Sequence, residues 1–203
     1  MRSFSALLMI SSLLWLGGCG KKGSRKAPPP APESNRTTGT KPIPPAPTIR
    51  RFRIRDINKR ETSLEFSDGP ALFHRIRQPL VMIILFADWC PPCRGMIPYL
   101  SRLQSANSDE LFVIGIPVRS NLDEQAMRRF MIRYETNFFI SVHPDNNALG
   151  TYLARRYKLG KNYPLPLTLI FKNGRYVMHI SGAVPYEMLQ TLVNQLKEKK
   201  NKE

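Results

Sequence analysis

The sequence predicts an α/β fold in which a central β-sheet is flanked by helices. Two continuous apolar runs, residues 80–86 and 111–118, have the length and composition of buried parallel strands. The first run leads directly to Trp89 and to two cysteines, Cys90 and Cys93, at the predicted start of a helix. A strand that delivers two cysteines at this spacing to a helix N-terminus predicts a redox-active dithiol, because helix-end amides favour a thiolate.

The elements before this motif are predicted from turn signals. An N-terminal β-hairpin turns at residues 58–60, and the Asp-Gly-Pro sequence at residues 68–70 interrupts the chain. We expect a short helical stretch to follow and to end near Pro79. After the first buried strand, a helix is predicted over residues 90–104, and Pro98 within it predicts a kink.

The rest of the chain alternates helices and strands. Asn121 or Asp123 can cap a helix whose apolar residues recur on one face. The remaining predicted elements are a strand at 138–142, a helix at 148–157, paired strands at 167–171 and 176–180, and a last helix from about residue 185. About 155 residues are enough for one core, so a single domain is expected over residues 50–203.

A family resemblance rests on two motifs. Residues 165–174, Leu-Pro-Leu-Thr-Leu-Ile-Phe-Lys-Asn-Gly, resemble the thioredoxin segment that carries the cis-proline, a strand and a hairpin turn. Together with the Cys-Pro-Pro-Cys motif, this segment brackets a thioredoxin fold. The order and separation of the motifs resemble the TlpA/ResA-type branch, membrane-tethered extracytoplasmic thioredoxins with an insertion in the central region. The resemblance covers roughly residues 50–200.

The resemblance also implies roles for individual residues. Cys90 is expected to attack a substrate disulfide, and Cys93 to resolve the mixed disulfide. Pro166 is expected to be cis and to expose the backbone of Leu165 for pairing with a substrate segment, while Trp89 shields the dithiol and contacts substrates. Apart from this cysteine pair, we expect neither a cofactor nor a metal.

Two positions depart from the related proteins. Thioredoxins carry a buried aspartate where this chain has Ile84, and ResA-type proteins carry a glutamate where it has Met96. Cys93 therefore needs another proton acceptor, for which a water or Asp88 is a candidate. Asp88 is equally consistent with an ordinary solvated side chain.

The first fifty residues predict export. Residues 1–18 have the short apolar core of a signal peptide, and the Leu-Gly-Gly before Cys19 resembles a lipobox, in which Cys19 is lipidated. An uncleaved anchor or an ordinary signal peptide is the alternative. Residues 19–49 comprise the lipidated cysteine and a proline-rich linker that acts as a spacer. Gly20 in place of aspartate favours the outer membrane in a cell with two membranes.

The composition excludes some classes of function. The net charge of +16 suits anionic lipid head groups. A nucleic-acid partner is not expected, because the aromatic residues lie in apolar runs instead of alternating with basic ones. The three cysteines leave no pair for a structural disulfide. They also provide no second ligand pair for zinc.

The leading hypothesis is therefore a lipid-anchored thiol-disulfide oxidoreductase facing the periplasm. By resemblance, we expect it to reduce exported proteins such as apocytochrome c, with electrons from a membrane partner of the DsbD/CcdA type. A disulfide oxidase or isomerase with a quinone-linked partner is the alternative. A Cu(I) metallochaperone is less favoured, since His74, His143 and His179 suit structural or surface positions and the copper-delivery relatives space their cysteines differently.

Overall fold

The computed structural model describes residues 48–198. The predicted signal peptide, Cys19 and nearly all of the proline-rich linker lie outside the described residues. The strands are β1 Arg50–Arg55, β2 Glu61–Phe66, β3 Leu72–Phe73, β4 Leu80–Phe86, β5 Leu111–Pro117, β6 Phe139–Ile140, β7 Leu167–Lys172 and β8 Arg175–Ser181. The helices are α1 Pro91–Ala106, α2 Glu124–Arg133, α3 Asn146–Arg156 and α4 Tyr186–Glu198.

The predicted N-terminal hairpin is present, but the helical stretch predicted before Pro79 is wrong. Strands β1 and β2 pair antiparallel, and β3 adds a third strand in the place of that helix. Phe73 on β3 lies opposite Leu64 and packs edge-on against the rings of Phe66 and Phe171. This packing outweighs the local preference of the segment for a helix.

The central sheet has the strand order β6-β5-β4-β7-β8. Strands β4, β5 and β6 run parallel, whereas β7 and β8 are antiparallel to their neighbours. All seven residues of β4 are buried, as expected of a central strand covered on both faces. The sequence therefore predicted this strand, its neighbour β5 and the mixed α/β architecture correctly.

Each face of the central sheet has its own hydrophobic core. Alternate residues of β4, beginning at Leu80, pack with α1, α2 and α4 on one face, which also contains both cysteines. The intervening residues, beginning at Val81, pack with α3 and the N-terminal sheet on the other. The alternation follows from the two-residue period of a strand. It places the cysteines, α1 and the even-numbered β4 residues in one apolar layer.

The helices lie close to their predicted positions. Asp123 caps α2, and its carboxylate accepts a hydrogen bond of 2.6 Å from the backbone of Ala126. Helix α1 contains Pro98, as predicted. Helix α2 and the short strand β6 stand between β5 and α3, in the place of the predicted central insertion. Within residues 48–198, no helix is long and apolar enough to cross a bilayer.

Candidate active site

The two cysteines lie where β4 passes into α1. Cys90 is the N-cap residue, and Cys93 follows in the first turn. A disulfide joins them, with their Cα atoms 5.3 Å apart. Cys90 is 4% exposed and Cys93 is 0% exposed, so Cys90 is the more accessible of the two. This geometry lets one sulfur meet a substrate while the other remains shielded by the core.

In the described part of the chain, one backbone amide donates to the Cys90 sulfur. The N–H of Cys93 lies 3.3 Å from Cys90 Sγ. The intervening residues, Pro91 and Pro92, have no N–H to donate, but their fixed φ suits the first turn of a helix. The helix start therefore supports negative charge on Cys90 with fewer donors than a non-proline sequence would provide.

The loop before β7 faces the Cys90 sulfur. The peptide bond between Leu165 and Pro166 is cis, as the sequence predicted, and the Leu165 carbonyl oxygen lies 3.6 Å from Cys90 Sγ. The structure thus brings Leu165, Pro166 and the dithiol together, although they are about seventy residues apart in sequence. Leu165 is half-buried, and Pro166 is buried.

Trp89 stands beside the dithiol and is 58% exposed. Its indole Nε1 donates a 2.8 Å hydrogen bond to the carbonyl oxygen of Arg119, just beyond the end of β5. Arg119 in turn lies over the ring of Tyr163, 4.6 Å from its centroid. Burial raises the pKa of Tyr163, and the nearby Arg119 opposes this increase.

Sequence reasoning did not identify Arg119 as part of the site. The available signal was its position at the carboxyl end of a parallel strand next to β4, the edge where functional residues of open α/β sheets gather.

Asp88, the candidate proton acceptor, has a structural partner. Its carboxylate accepts a 2.5 Å hydrogen bond from the hydroxyl of Ser120, which links the end of β4 to the segment after β5. This bond holds together the two loops that carry Trp89 and Arg119.

The core beneath Cys93 lacks the acids found in related proteins. Ile84 and Met96 are both fully buried in the apolar layer that contains Cys93. Directly across from Ile84 on β7 is Thr168, whose side chain is also fully buried. The Thr168 hydroxyl has no hydrogen-bond partner among the described residues. Opposed residues of paired strands share a face, so this hydroxyl points into the same layer as Ile84.

The histidines lie in other parts of the molecule. His74 contacts Glu65 at 3.3 Å, and His179 contacts the hydroxyl of Tyr176 at 2.8 Å. His143 accepts a hydrogen bond from the backbone of the neighbouring Asp145. Within residues 48–198, no group of three or more potential ligand side chains is placed to hold a metal ion.

Known proteins resemble this chain at low sequence identity. No protein-family model matches it. It is 26% identical over 144 residues to the chloroplastic thioredoxin Y of Oryza sativa subsp. japonica, a match that covers 71% of this chain and 64% of the rice protein. It is 25% identical over 140 residues to the thiol-disulfide oxidoreductase ResA of Bacillus cereus, covering 68% of this chain and 70% of that protein.

A solved structure confirms the fold. The thiol:disulfide interchange protein of the thioredoxin family from Chlorobium tepidum superposes with a TM-score of 0.57 at 18% identity, covering 74% of this chain and 96% of the other. The chain therefore has a thioredoxin fold, as the motifs predicted, and its similarity to ResA agrees with the TlpA/ResA-type resemblance.

Proposed function

We propose that this chain, a ResA-like thiol-disulfide oxidoreductase with a thioredoxin fold, reduces disulfides in exported proteins while it is anchored to a membrane. The observation that carries the proposal is the position of Cys90. Its sulfur lies at the start of a helix, receives the Cys93 amide and contacts the carbonyl oxygen of Leu165. A nucleophile, a resolving thiol and a backbone edge for the substrate thus meet at one point.

The reaction proceeds in two exchanges. The Cys90 thiolate attacks one sulfur of a substrate disulfide, forming a mixed disulfide and releasing the other substrate sulfur as a thiolate. Cys93 then loses its proton and attacks Cys90, which forms the Cys90–Cys93 disulfide and releases the second substrate thiol. Two electrons pass from the protein to the substrate. The full burial of Cys93 keeps external thiols from reaching it.

We assign substrate binding to Trp89, Leu165 and Pro166. The Leu165 backbone is placed beside the reacting sulfur, where an extended substrate segment can pair with it as a short added strand. The exposed face of Trp89 offers an apolar contact next to Cys90.

The proposed direction, reduction, comes from the ResA-type resemblance, and the helix start adds one supporting argument. A dithiol becomes a strong oxidant when its reduced form is stabilised, as in DsbA. Here Pro91 and Pro92 have no N–H, and among residues 48–198 the Cys93 amide alone donates to the Cys90 sulfur, so the thiolate of the reduced form would receive little of this stabilisation. The ResA-type resemblance points the same way. Exported proteins such as apocytochrome c are the proposed substrates, and a membrane protein of the DsbD/CcdA type the proposed electron donor.

We further propose that residues 1–18 are a signal peptide, that Cys19 carries the lipid and that residues 19–49 hold the catalytic domain of residues 50–203 away from the bilayer. The apolar stretch ending before Cys19 and the prolines that follow support this division. The catalytic domain would face the periplasm, and Gly20 favours attachment to the outer membrane.

The direction of the reaction is tested by the reduction potential of the Cys90–Cys93 pair against glutathione. A value near or below about −230 mV supports the reductant, whereas a value near about −120 mV identifies an oxidant of the DsbA kind and refutes the proposed direction.

The exchange mechanism is tested by Cys93→Ser in cells. This variant retains the nucleophile but cannot resolve the mixed disulfide, so we expect substrates to stay attached to Cys90. The Cys90→Ser/Cys93→Ser double variant keeps Cys19 and provides the matched control, which should trap nothing. Recovery of unmodified Cys90 from the single variant would contradict the mechanism.

A further inference from the structure

A groove lined by basic side chains lies next to the two segments that flank the dithiol, the one after β5 and the one before β7. It has a volume of about 640 Å³ and runs between α3 and the loop that leads to Leu165. Its charged lining residues, which define it here as the basic groove, are all cations: Arg119, Arg155, Lys158 and Lys161. None of the described residues that line the groove is acidic.

The cations of the basic groove have no carboxylate partner among residues 48–198. The ion pairs formed there use other basic residues, namely Arg51, Arg60, His74, Arg128 and His143. Arg155 lies in the last turn of α3, where a cation also complements the carbonyl end of the helix. Lys158 and Lys161 follow the helix and are exposed, so their charge is available to a ligand.

The basic groove is joined to the dithiol at two points. The carbonyl oxygen of Arg119 accepts the hydrogen bond from Trp89, next to Cys90. Tyr163 contributes to the groove wall only two residues before Leu165, whose carbonyl oxygen contacts the Cys90 sulfur. The loop that carries Leu165 thus also forms part of the groove wall.

Close packing holds the groove wall in place. Helix α3 approaches β5 through Gly150, where an added Cβ would lie 2.7 Å from Val118 and 3.2 Å from the hydroxyl of Tyr163. The backbone N–H of Arg119 donates to the side chain of Asn147 at 2.8 Å, which connects the end of β5 to α3. The wall that carries the cations is therefore held by packing and by a hydrogen bond between α3 and the end of β5.

We propose that the basic groove binds an acidic segment of the protein substrate, close in sequence to the cysteine that Cys90 attacks. This inference rests on the proposed exchange function. Lys161 precedes Leu165 by four positions, a span of at most about 14 Å in extended chain. Acidic residues within about four positions of the target cysteine therefore reach the groove, where opposite charge speeds encounter and fixes the register of the segment.

The test compares two synthetic peptides in single-turnover reduction by the full chain. Each peptide carries one cysteine as a mixed disulfide with thionitrobenzoate, flanked by four glutamates in one peptide and four glutamines in the other. At low salt, we expect the glutamate peptide to react about tenfold faster. In the Lys158→Gln/Lys161→Gln variant, the ratio of the glutamate-peptide rate to the glutamine-peptide rate should fall at least threefold. The rate for the glutamine peptide should stay within twofold of wild type.

The matched control is Arg53→Gln/Lys59→Gln, which removes the same charge from exposed positions outside the groove. Lys59 also shares the left-handed backbone of Lys158, with φ of 60° and 55°. If both double variants lose the preference for the glutamate peptide equally, that preference comes from net charge and the proposal is overturned. Equal rates for the two peptides with the wild-type protein would also overturn it. Failure of wild type to reduce the glutamine peptide would instead refute the exchange function itself.

Discussion

Thr168→Val is expected to stabilise the fold, although a threonine-to-valine change in a core normally costs stability. The two side chains have nearly the same shape, and the Thr168 hydroxyl is fully buried with no partner among the described residues. Burying an unpaired hydroxyl costs about 1–3 kcal/mol. The variant removes this cost, so the free energy of unfolding should rise by about 1–2 kcal/mol.

The assay is urea unfolding of the full chain with the Cys90–Cys93 disulfide intact. With a slope of about 2 kcal/mol per molar urea, the midpoint should rise by about 0.5–1 M at unchanged slope. Ser141→Ala is the opposite case, because the buried Ser141 hydroxyl donates a 2.6 Å hydrogen bond to Asn146. It should lower the free energy of unfolding by about 1–3 kcal/mol. A Thr168→Val protein less stable than wild type would refute the reasoning, since the hydroxyl would then be bonded in solution.

Two further variants test how individual carboxyl groups make the stability of the fold depend on pH. Ile84→Asp places a carboxyl in the apolar layer around Cys93, where burial raises its pKa. The variant should therefore be least destabilised below about pH 4 and should lose stability as the pH rises through the raised pKa. The measurements are unfolding at pH 4 and at pH 8, together with the rate of the second exchange. Glu65 has a lowered pKa because it accepts a hydrogen bond from Arg51, so wild type should lose stability as pH falls through that pKa. The Glu65→Gln variant should lack this loss of stability at low pH when unfolding is measured as a function of pH. If the variant loses as much stability at low pH as wild type does, the loss does not come from Glu65.

The parts of the fold carried by local signals were predictable. The apolar run of β4 and the two cysteines after it specify a buried strand and the start of α1 without reference to the rest of the chain. The proline-containing loop before β7 was identified by its motif. The cis bond at Pro166 and its position against Cys90 agree with that prediction.

Features that depend on distant contacts were not predictable. Residues 72–73 form a strand because Phe73 packs against rings from β2 and β7, and no local pattern announces those partners. The basic groove exists because Arg155 of α3 and Arg119, in the loop after β5, line the same cavity although they are distant in sequence. The unpaired state of Thr168 likewise depends on its neighbour across the sheet, Ile84.

The absence of an acid near Cys93 constrains how the second exchange can work. Among residues 48–198, the buried acids are Asp56 and Glu65, and both are held by arginines in the N-terminal sheet. The apolar layer around Cys93 therefore offers no carboxylate to take its proton, which leaves a water or the half-buried Asp88 as the candidate acceptor. Asp88 lies two residues before Cys90, so either acceptor would be sensitive to what is bound at Cys90. A segment held by the basic groove and Leu165 would thus affect the second exchange as well as the first.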